Sequence, residues 1–415
     1  MPHDRFVPLE TAALLPDGPA ATTIAGAVRC GHRVFLSGRS ALRPDGSVAG
    51  LGDAAAQTEA ALDNIETALA AAGGSLRDLT KLTTSLVDRA HRKAVYDTIG
   101  RRLKDVFPVS TGLVVAGLAR PELMVQIDAE AVVGTSVTRL RTFELKDWFS
   151  QDIAWQGAMV AAGPQDIFIR GQTGATLDGS AMTGPGRRPE DAAAQTEIAL
   201  TNLATLLHEA GSGMNEVSKI TVYISDRAYR AAVYPVIGRH FRGIHPVSTG
   251  IIVPGFARPD ILFEIDVQAM RPQGGPHQRV RRYHSNAVRY GVSQQNIDCD
   301  FCMAVRSGQH VVLRGQTGTD LTELMHGLGD PPAQAEQAML NVATLLGEAG
   351  ARLTDVTKAI VFVTDRAYLA GVTDVVLRHL GPAAPCLSTL IVKGLANPDL
   401  SMEVDITAMV QGDDA

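Results

Sequence analysis

One run of residues occurs three times in this chain at a constant spacing, and that repetition limits the fold more than any other feature. Ala56-Gln57-Thr58-Glu59, followed by Asn64, returns 138 residues later as Ala194-Gln195-Thr196-Glu197 with Asn202, and again as Gln334-Ala335-Glu336 with Asn341. Lys81, Lys219 and Lys358 keep the step, as do Asp-Arg-Ala triplets starting at Asp88, Asp226 and Asp365. So do Gly-x-Ala-x-Pro turns at Gly117, Gly255 and Gly394, and more loosely Gly38, Gly171 and Gly315. Solenoid repeats recur every ~20 to 50 residues, so units of this size are domains. The expected units are residues 1–135, 147–270 and 290–415, each long enough to bury its own core. The joins fall in 136–146 and 271–289. The second carries Pro272, Gly274, Gly275 and Pro276 and reads as a linker, with Arg279, Arg281 and Arg282 as a solvated stretch.

Each unit repeats one pattern. A β-branched run ends in glycine (Val34 to Gly38, Ile167 to Gly171, Val311 to Gly315), which reads as a strand stopping at a tight backbone turn. An alanine-rich helix follows, Ala54 to Ala72 in the first unit, with Ala61, Ile65 and Leu69 on one stripe and Gly73-Gly74 as its stop. Next come a strand such as Ile220 to Ile224, a helix such as Ala228 to Phe241, and two closing strands joined at the Gly-x-Ala-x-Pro turn. In the last strand Ile261, Phe263, Ile265 and Val267 alternate with Leu262, Glu264 and Asp266, giving a core face and an acidic face. Two helices on one sheet make an α+β unit whose other sheet face needs cover, and three such sheets around a shared axis supply it.

Net charge −6 and pI near 6.0 give no field that draws nucleic acid, so a small molecule is the expected partner. Four cysteines are too few for a disulfide scaffold. No apolar run reaches the ~20 residues of a membrane span, and Met1 to Glu10 does not read as a secretory signal. A cytoplasmic protein is the expectation.

The order strand-Ser/Arg-Gly-Gln, helix with Gln and Asn, Ala-Gly, Lys-x6-Asp, Pro and a closing Glu-Ile-Asp strand resembles the RidA/YjgF family, three times over nearly the whole chain. The resemblance implies chorismate-mutase-like α+β units. It further implies that one chain builds an intramolecular pseudo-trimer, alone or paired with a second, with ligand clefts between neighbouring units. It also implies hydrolysis of reactive imines and enamines to ammonia and a keto acid, with no cofactor, an arginine gripping the substrate carboxylate and a carboxylate or water handling protons.

The matching arginine position holds Ser110, Ser248 and Leu387. Arginine stands elsewhere, in Arg170-Gly171-Gln172-Thr173 and Arg314-Gly315-Gln316-Thr317, where the first unit reads Ser37-Gly38-Arg39-Ser40. A charge ending an apolar strand needs a partner or a ligand. Either Arg170 and Arg314 pair with Glu264, Glu403 or Asp266, or they replace the missing anchor. The closing-strand glutamate, the candidate proton-handling group, is Glu264 and Glu403 but Gln126 in the first unit. Gln172, Gln316, Ser248, Thr249 and Phe301 are the further substrate-binding candidates. Cys299 and Cys302 lack a second ligand pair for zinc, so no metal is expected. Cys302 is either an inert buried thiol or a nucleophile activated by Arg314. His240 and His379 read as surface or interface groups, and Asp88 with its copies as helix caps. Ser150-Gln151 and Ser293-Gln294 recur in the last two units only. Two function classes follow: a hydrolase of a C–N bond in a small imine, enamine or amide-like metabolite, or a non-catalytic small-molecule-binding pseudo-trimer.

Overall fold

The computed structural model describes residues 3–10, 23–147, 152–285 and 297–411; both Ser-Gln pairs lie outside them. The first unit orders its strands Asp4–Glu10, Thr23–Cys30, Arg33–Leu36, Val125–Val132, Leu79–Leu86, Val109–Val114 across one sheet. The last two run parallel, joined through the helix Arg92–Arg102, and the remaining pairs are antiparallel. The second and third units repeat this order. The long helices, Ala54–Ala71, Pro189–Glu209 and Pro331–Glu348, lie with their partners on one sheet face. The expected stripe of Ala61, Ile65 and Leu69 is wholly buried there.

The helix starts follow from their capping chemistry. Asp53 accepts from the backbone N–H groups of Ala55 and Ala56, and Asp88, Asp226 and Asp365 accept from the N–H two residues on, as expected of caps. His240 and His379 bond Glu197 and Glu336 on the neighbouring helix at 2.8 and 2.9 Å.

Three expectations are corrected. The joins are only in part linkers: Pro272 to Pro276 is exposed and irregular, but Thr138–Glu144 and Gln278–Val280 are the outermost strands of the second and third sheets, paired with Gln156–Ala162 and Ala304–Ser307. Arg279 is not solvated either, since it donates to the carbonyls of His245 and Val217 at 2.9 and 3.0 Å; Arg281, which pairs with Glu348 at 2.6 Å, and Arg282 stay exposed. The closing strand begins at Phe263, so the alternation holds from there and not from Ile261: Leu262 joins the helix-side core, and Ile261 joins an apolar cluster drawn from all three units.

The sheets close into a ring around a pseudo-threefold axis. Gly255–Phe256 of the second unit pairs with Leu113 and Val114 of the first. Gly394–Leu395 of the third pairs with Ile251 and Ile252 of the second, and Gly117 of the first bridges Ile391 of the third. Each turn is latched by the arginine of an Asp-Arg pair across the seam: Arg89 to Phe256, Arg227 to Leu395 and Arg366 to Leu118, all at carbonyls. The turn glycine makes room for the latch, because a Cβ on Gly255 would stand 2.6 Å from Arg89 Nη2. Around the axis Lys81, Lys219 and Lys358 pair with Asp266, Asp405 and Asp128 of the adjoining units, lining a cavity of about 110 Å³.

Candidate active site

Adjacent units meet along three seams, and at each the glycine ending the third strand hydrogen-bonds the neighbour's parallel strand: Gly171 to Ser110, Gly315 to Ser248 and Gly38 to Leu387. These contacts fix which residues correspond, and a cleft opens beside two of them.

At the first seam the first unit supplies Arg92, Tyr96, Ser110 and Gly112, and the second supplies Trp155, Arg170, Arg258 and Glu264. At the second seam the corresponding set is Arg230, Tyr234, Ser248 and Gly250 facing Phe301, Arg314 and Glu403. Glu264 and Glu403 are only 5% and 4% exposed. Burial pushes each carboxyl up to about 8, against the pull of Arg170 on Glu264 and of Arg314 and Arg230 on Glu403. At neutral pH both are therefore mostly protonated. The Glu264 carboxyl also accepts from the Gly112 N–H across the seam. Its approach depends on glycine, because a Cβ on Gly171 would stand 2.0 Å from Glu264 Oε1, and one on Gly315 would stand 1.8 Å from Glu403 Oε1.

Four of these arginines are braced by an aromatic ring. Arg170 lies 5.3 Å over Phe143 and Arg314 5.6 Å over Tyr283, from the opening hairpins; Arg92 and Arg230 lie 5.2 and 4.4 Å over Tyr96 and Tyr234, one helical turn on. Arg230 also donates to the Tyr234 hydroxyl at 3.1 Å.

The third seam keeps the frame with different groups. Ser37 stands for Arg170 and Arg314, Gln126 for the glutamates, Leu369 for Arg92 and Arg230, Thr373 for the tyrosines and Thr389 for Gly112 and Gly250. Ser37 is bound internally, donating to Ala25 O at 2.7 Å and accepting from Leu387 N at 2.9 Å, and Leu369 belongs to the third unit's core. Its Arg39 stands where the others have Gln172 and Gln316, and burial draws it down to about 10.

Of the candidates read from sequence, Arg170, Arg314, Glu264, Glu403, Ser248 and Phe301 line these clefts. Gln172 and Gln316 fold back to donate to the carbonyls of Arg170 and Arg314 at 2.7 Å, so they brace the arginine backbone. Thr249 faces the axis and donates to Asp405 at 2.8 Å. Cys302 is not brought to the cleft: it is fully buried among Val247, Met270, Val305 and Val312, and burial pushes its thiol up to about 12, which leaves it no nucleophilic part. Sequence reasoning missed Arg92 with Tyr96 and Arg230 with Tyr234. Their signal was presence in two units and joint loss, as Leu369 and Thr373, in the third. Among the described residues no cluster of His, Cys, Asp and Glu is arranged to hold a metal ion, and no helix is long and apolar enough to cross a membrane.

The chain matches the family model described as Endoribonuclease L-PSP three times, over residues 17–133, 158–271 and 296–410. A RutC family protein of Synechocystis sp. is 33% identical over 106 residues, 26% of this chain and 78% of its own length. The 3-aminoacrylate deaminase RutC of Acinetobacter baylyi is 32% identical over 122 residues, 29% of this chain and 96% of its own. Among solved structures, a chorismatase is alike in fold over 80% of this chain and 93% of its own, with TM-score 0.53 and 15% identity. A Mycobacterium tuberculosis member of the YjgF/YER057c/UK114 family is 28% identical, covering 32% of this chain and 99% of its own with TM-score 0.26.

Proposed function

We infer the activity from the premise that the chain belongs, in all three units, to the Endoribonuclease L-PSP (RidA/YjgF) family. We propose that it hydrolyses the C–N bond of a small anionic imine or enamine in its first two clefts. The observation that carries this reading is a buried carboxyl held protonated near neutral pH between arginines, present at two seams and replaced by Gln126 at the third. A general acid tuned to the working pH is the group that such a reaction requires.

The assigned roles follow from chemistry. Arg170 or Arg314 grips a substrate carboxylate in place of the arginine missing at Ser110 and Ser248. Glu264 or Glu403 gives its proton to the enamine carbon or the imine nitrogen. Water adds to the imine carbon and the resulting carboxylate takes up the proton that water releases; the carboxyl then passes that proton to the amino nitrogen, and as the carbinol O–H proton returns to the carboxylate the C–N bond breaks with its electron pair leaving on ammonia. A keto acid remains. The Tyr96 and Tyr234 hydroxyls, which a Cβ on Gly112 or Gly250 would approach within 2.5 and 2.6 Å, are assigned to the attacking water. The similarity to a relative whose name is 3-aminoacrylate deaminase supports this direction.

The test is release of ammonia and keto acid from imines generated in situ by an amino-acid oxidase. Glu264→Gln and Glu403→Gln imitate Gln126, so the fold tolerates the side chain. Each single variant should keep about half the rate and the pair should fall at least about 100-fold, within the range for a general acid. Release at background level by the parent chain would favour the second reading, a non-catalytic binding pseudo-trimer, which the absence of the family arginine from Ser110, Ser248 and Leu387 supports. Undiminished release by the double variant would remove the glutamates from the reaction.

A further inference from the structure

In each cleft two arginines face one another from opposite sides of the seam; a third at the first cleft, Arg258, is paired with Asp260 at 2.6 Å. At the first, Arg92 rises from a helix of unit one and Arg170 from a strand end of unit two; at the second, Arg230 and Arg314 do the same. Arg92 stands near enough to Arg170 to oppose its charge. The Glu264 carboxyl lies beside both and draws on each of them, while burial pushes it up to about 8. Each guanidinium is stacked on a ring, an arrangement that fixes the plane and directs the N–H edges sideways, as bidentate recognition of a carboxylate requires. One carboxylate needs one guanidinium. Both arginines are kept together at two seams and lost together at the third, as Leu369 and Ser37, so the second is not a feature of the fold. The cationic pair is built for two anionic groups on one ligand.

We propose that both clefts take a substrate with two carboxylates, the imine or enamine of a dicarboxylic 2-oxo acid, held at one end by Arg170 or Arg314 and at the other by Arg92 or Arg230. The proposal rests on the reading of these clefts as C–N-hydrolysing sites and names their substrate class. Hydrolysis adds water across C=N, releases ammonia and leaves the 2-oxo diacid, so the diacid itself is a product ligand with which binding can be measured without turnover.

The experiment is calorimetric titration of the intact chain with 2-oxoglutarate and with 2-oxopentanoate, which lacks only the second carboxylate. The expected result is two sites per chain for 2-oxoglutarate, at least about tenfold tighter than for 2-oxopentanoate, the least that one added charge-assisted pair gives. Arg92→Leu, which copies Leu369 of the third unit, should leave one tight site, and Arg230→Leu should leave the other. In the double variant the two acids should bind alike, and a melting temperature within a few degrees of the parent's reports that the chain remains folded. Arg92→Lys, which keeps the charge without the fork, should retain part of the preference. Equal binding of the two acids, binding of neither, or a preference that survives in the double leucine variant would overturn the proposal. The two readings fail separately: diacid preference without ammonia release removes only the hydrolysis, whereas equal turnover of monocarboxylate and dicarboxylate imines removes only the diacid assignment.

Discussion

Glu264 and Glu403 set how both activity and stability respond to pH. Each carboxyl sits near 8 in the folded chain against an ordinary 4.5, and the protonated form is the proposed acid, so activity should hold at neutral pH and fall about tenfold per unit above pH ~8. The stability sign follows from the same shift. Below 4.5 the group is protonated folded and unfolded and contributes nothing. Between 4.5 and about 8 only the unfolded chain releases the proton, so stability declines as pH rises, and the loss is complete above 8. Glu264→Gln with Glu403→Gln should therefore melt higher than the parent at pH 9 and match it at pH 4.5; an equal difference at both pH values would contradict this origin. Which neighbours share a site was partly legible at this scale. Strand residues alternate faces, so Phe301 in the cleft sends Cys302 into the seam, and Ser248 in the cleft sends Thr249 to the axis. Sequence adjacency alone had grouped them. Arg92 stayed hidden because a helix residue far along the chain joins the site only once two units are docked.

Among elements, the strand-ending glycines decide whether a seam can be a site. Gly171→Ala would put a methyl 2.0 Å from Glu264 Oε1, and the carboxylate must move. That change should silence the first cleft, halve turnover per chain and cost about 1 to 3 kcal/mol of stability, as overpacking does; assay alongside Glu403→Gln, where residual turnover should vanish, isolates the first cleft. Unchanged turnover in that combined variant would mean that the carboxyl need not stand where it does. The opening hairpins show a compensation that single-residue reading does not reach. By register Trp155 corresponds to Cys299 and Gly157 to Phe301. The Trp155 ring covers Gly157, where a Cβ would lie 2.2 Å from it, so an aromatic plate is supplied from either of two positions. The hairpin strands Thr138–Glu144 and Gln278–Val280 escaped notice because their half-buried cationic groups, Arg139 and Arg279, satisfy backbone carbonyls and so break the apolar alternation that marks a strand. The long helices and closing strands, whose periods are undisturbed, were legible almost residue by residue.

In the whole molecule, fusion allows equivalent positions to become complementary. Arg33, Asp166 and His310 each open the third strand of their unit, and all three converge where the units meet. Arg33, 3% exposed, pairs with Asp166 and with Glu130, the latter at 2.5 Å, and His310 Nδ1 lies 3.4 Å from Asp166. Three identical chains would bring three like residues together here, three arginines or three aspartates, at a cost that the fused chain avoids. The repeat made the ring legible, since three half-covered sheets have few ways to close, but this corner depends on a difference between units that only their docking reveals. The Arg33 guanidinium holds the Asp166 carboxyl well below the usual carboxylate range, so its contribution to stability is present above pH ~4, the unfolded value, and is lost as pH falls toward the folded one. Asp166→Ala leaves a buried guanidinium with Glu130 alone and should cost about 3 kcal/mol in urea unfolding at pH 7, with the penalty shrinking as pH drops below 4. Replacing both partners, Arg33→Met with Asp166→Leu, removes the charges together with their desolvation and should recover most of that loss. Were the double replacement no better than Asp166→Ala, the corner would be holding the units together through the ion pair itself, and complementarity between diverged positions would be a source of stability in the fused ring as well as relief from repulsion.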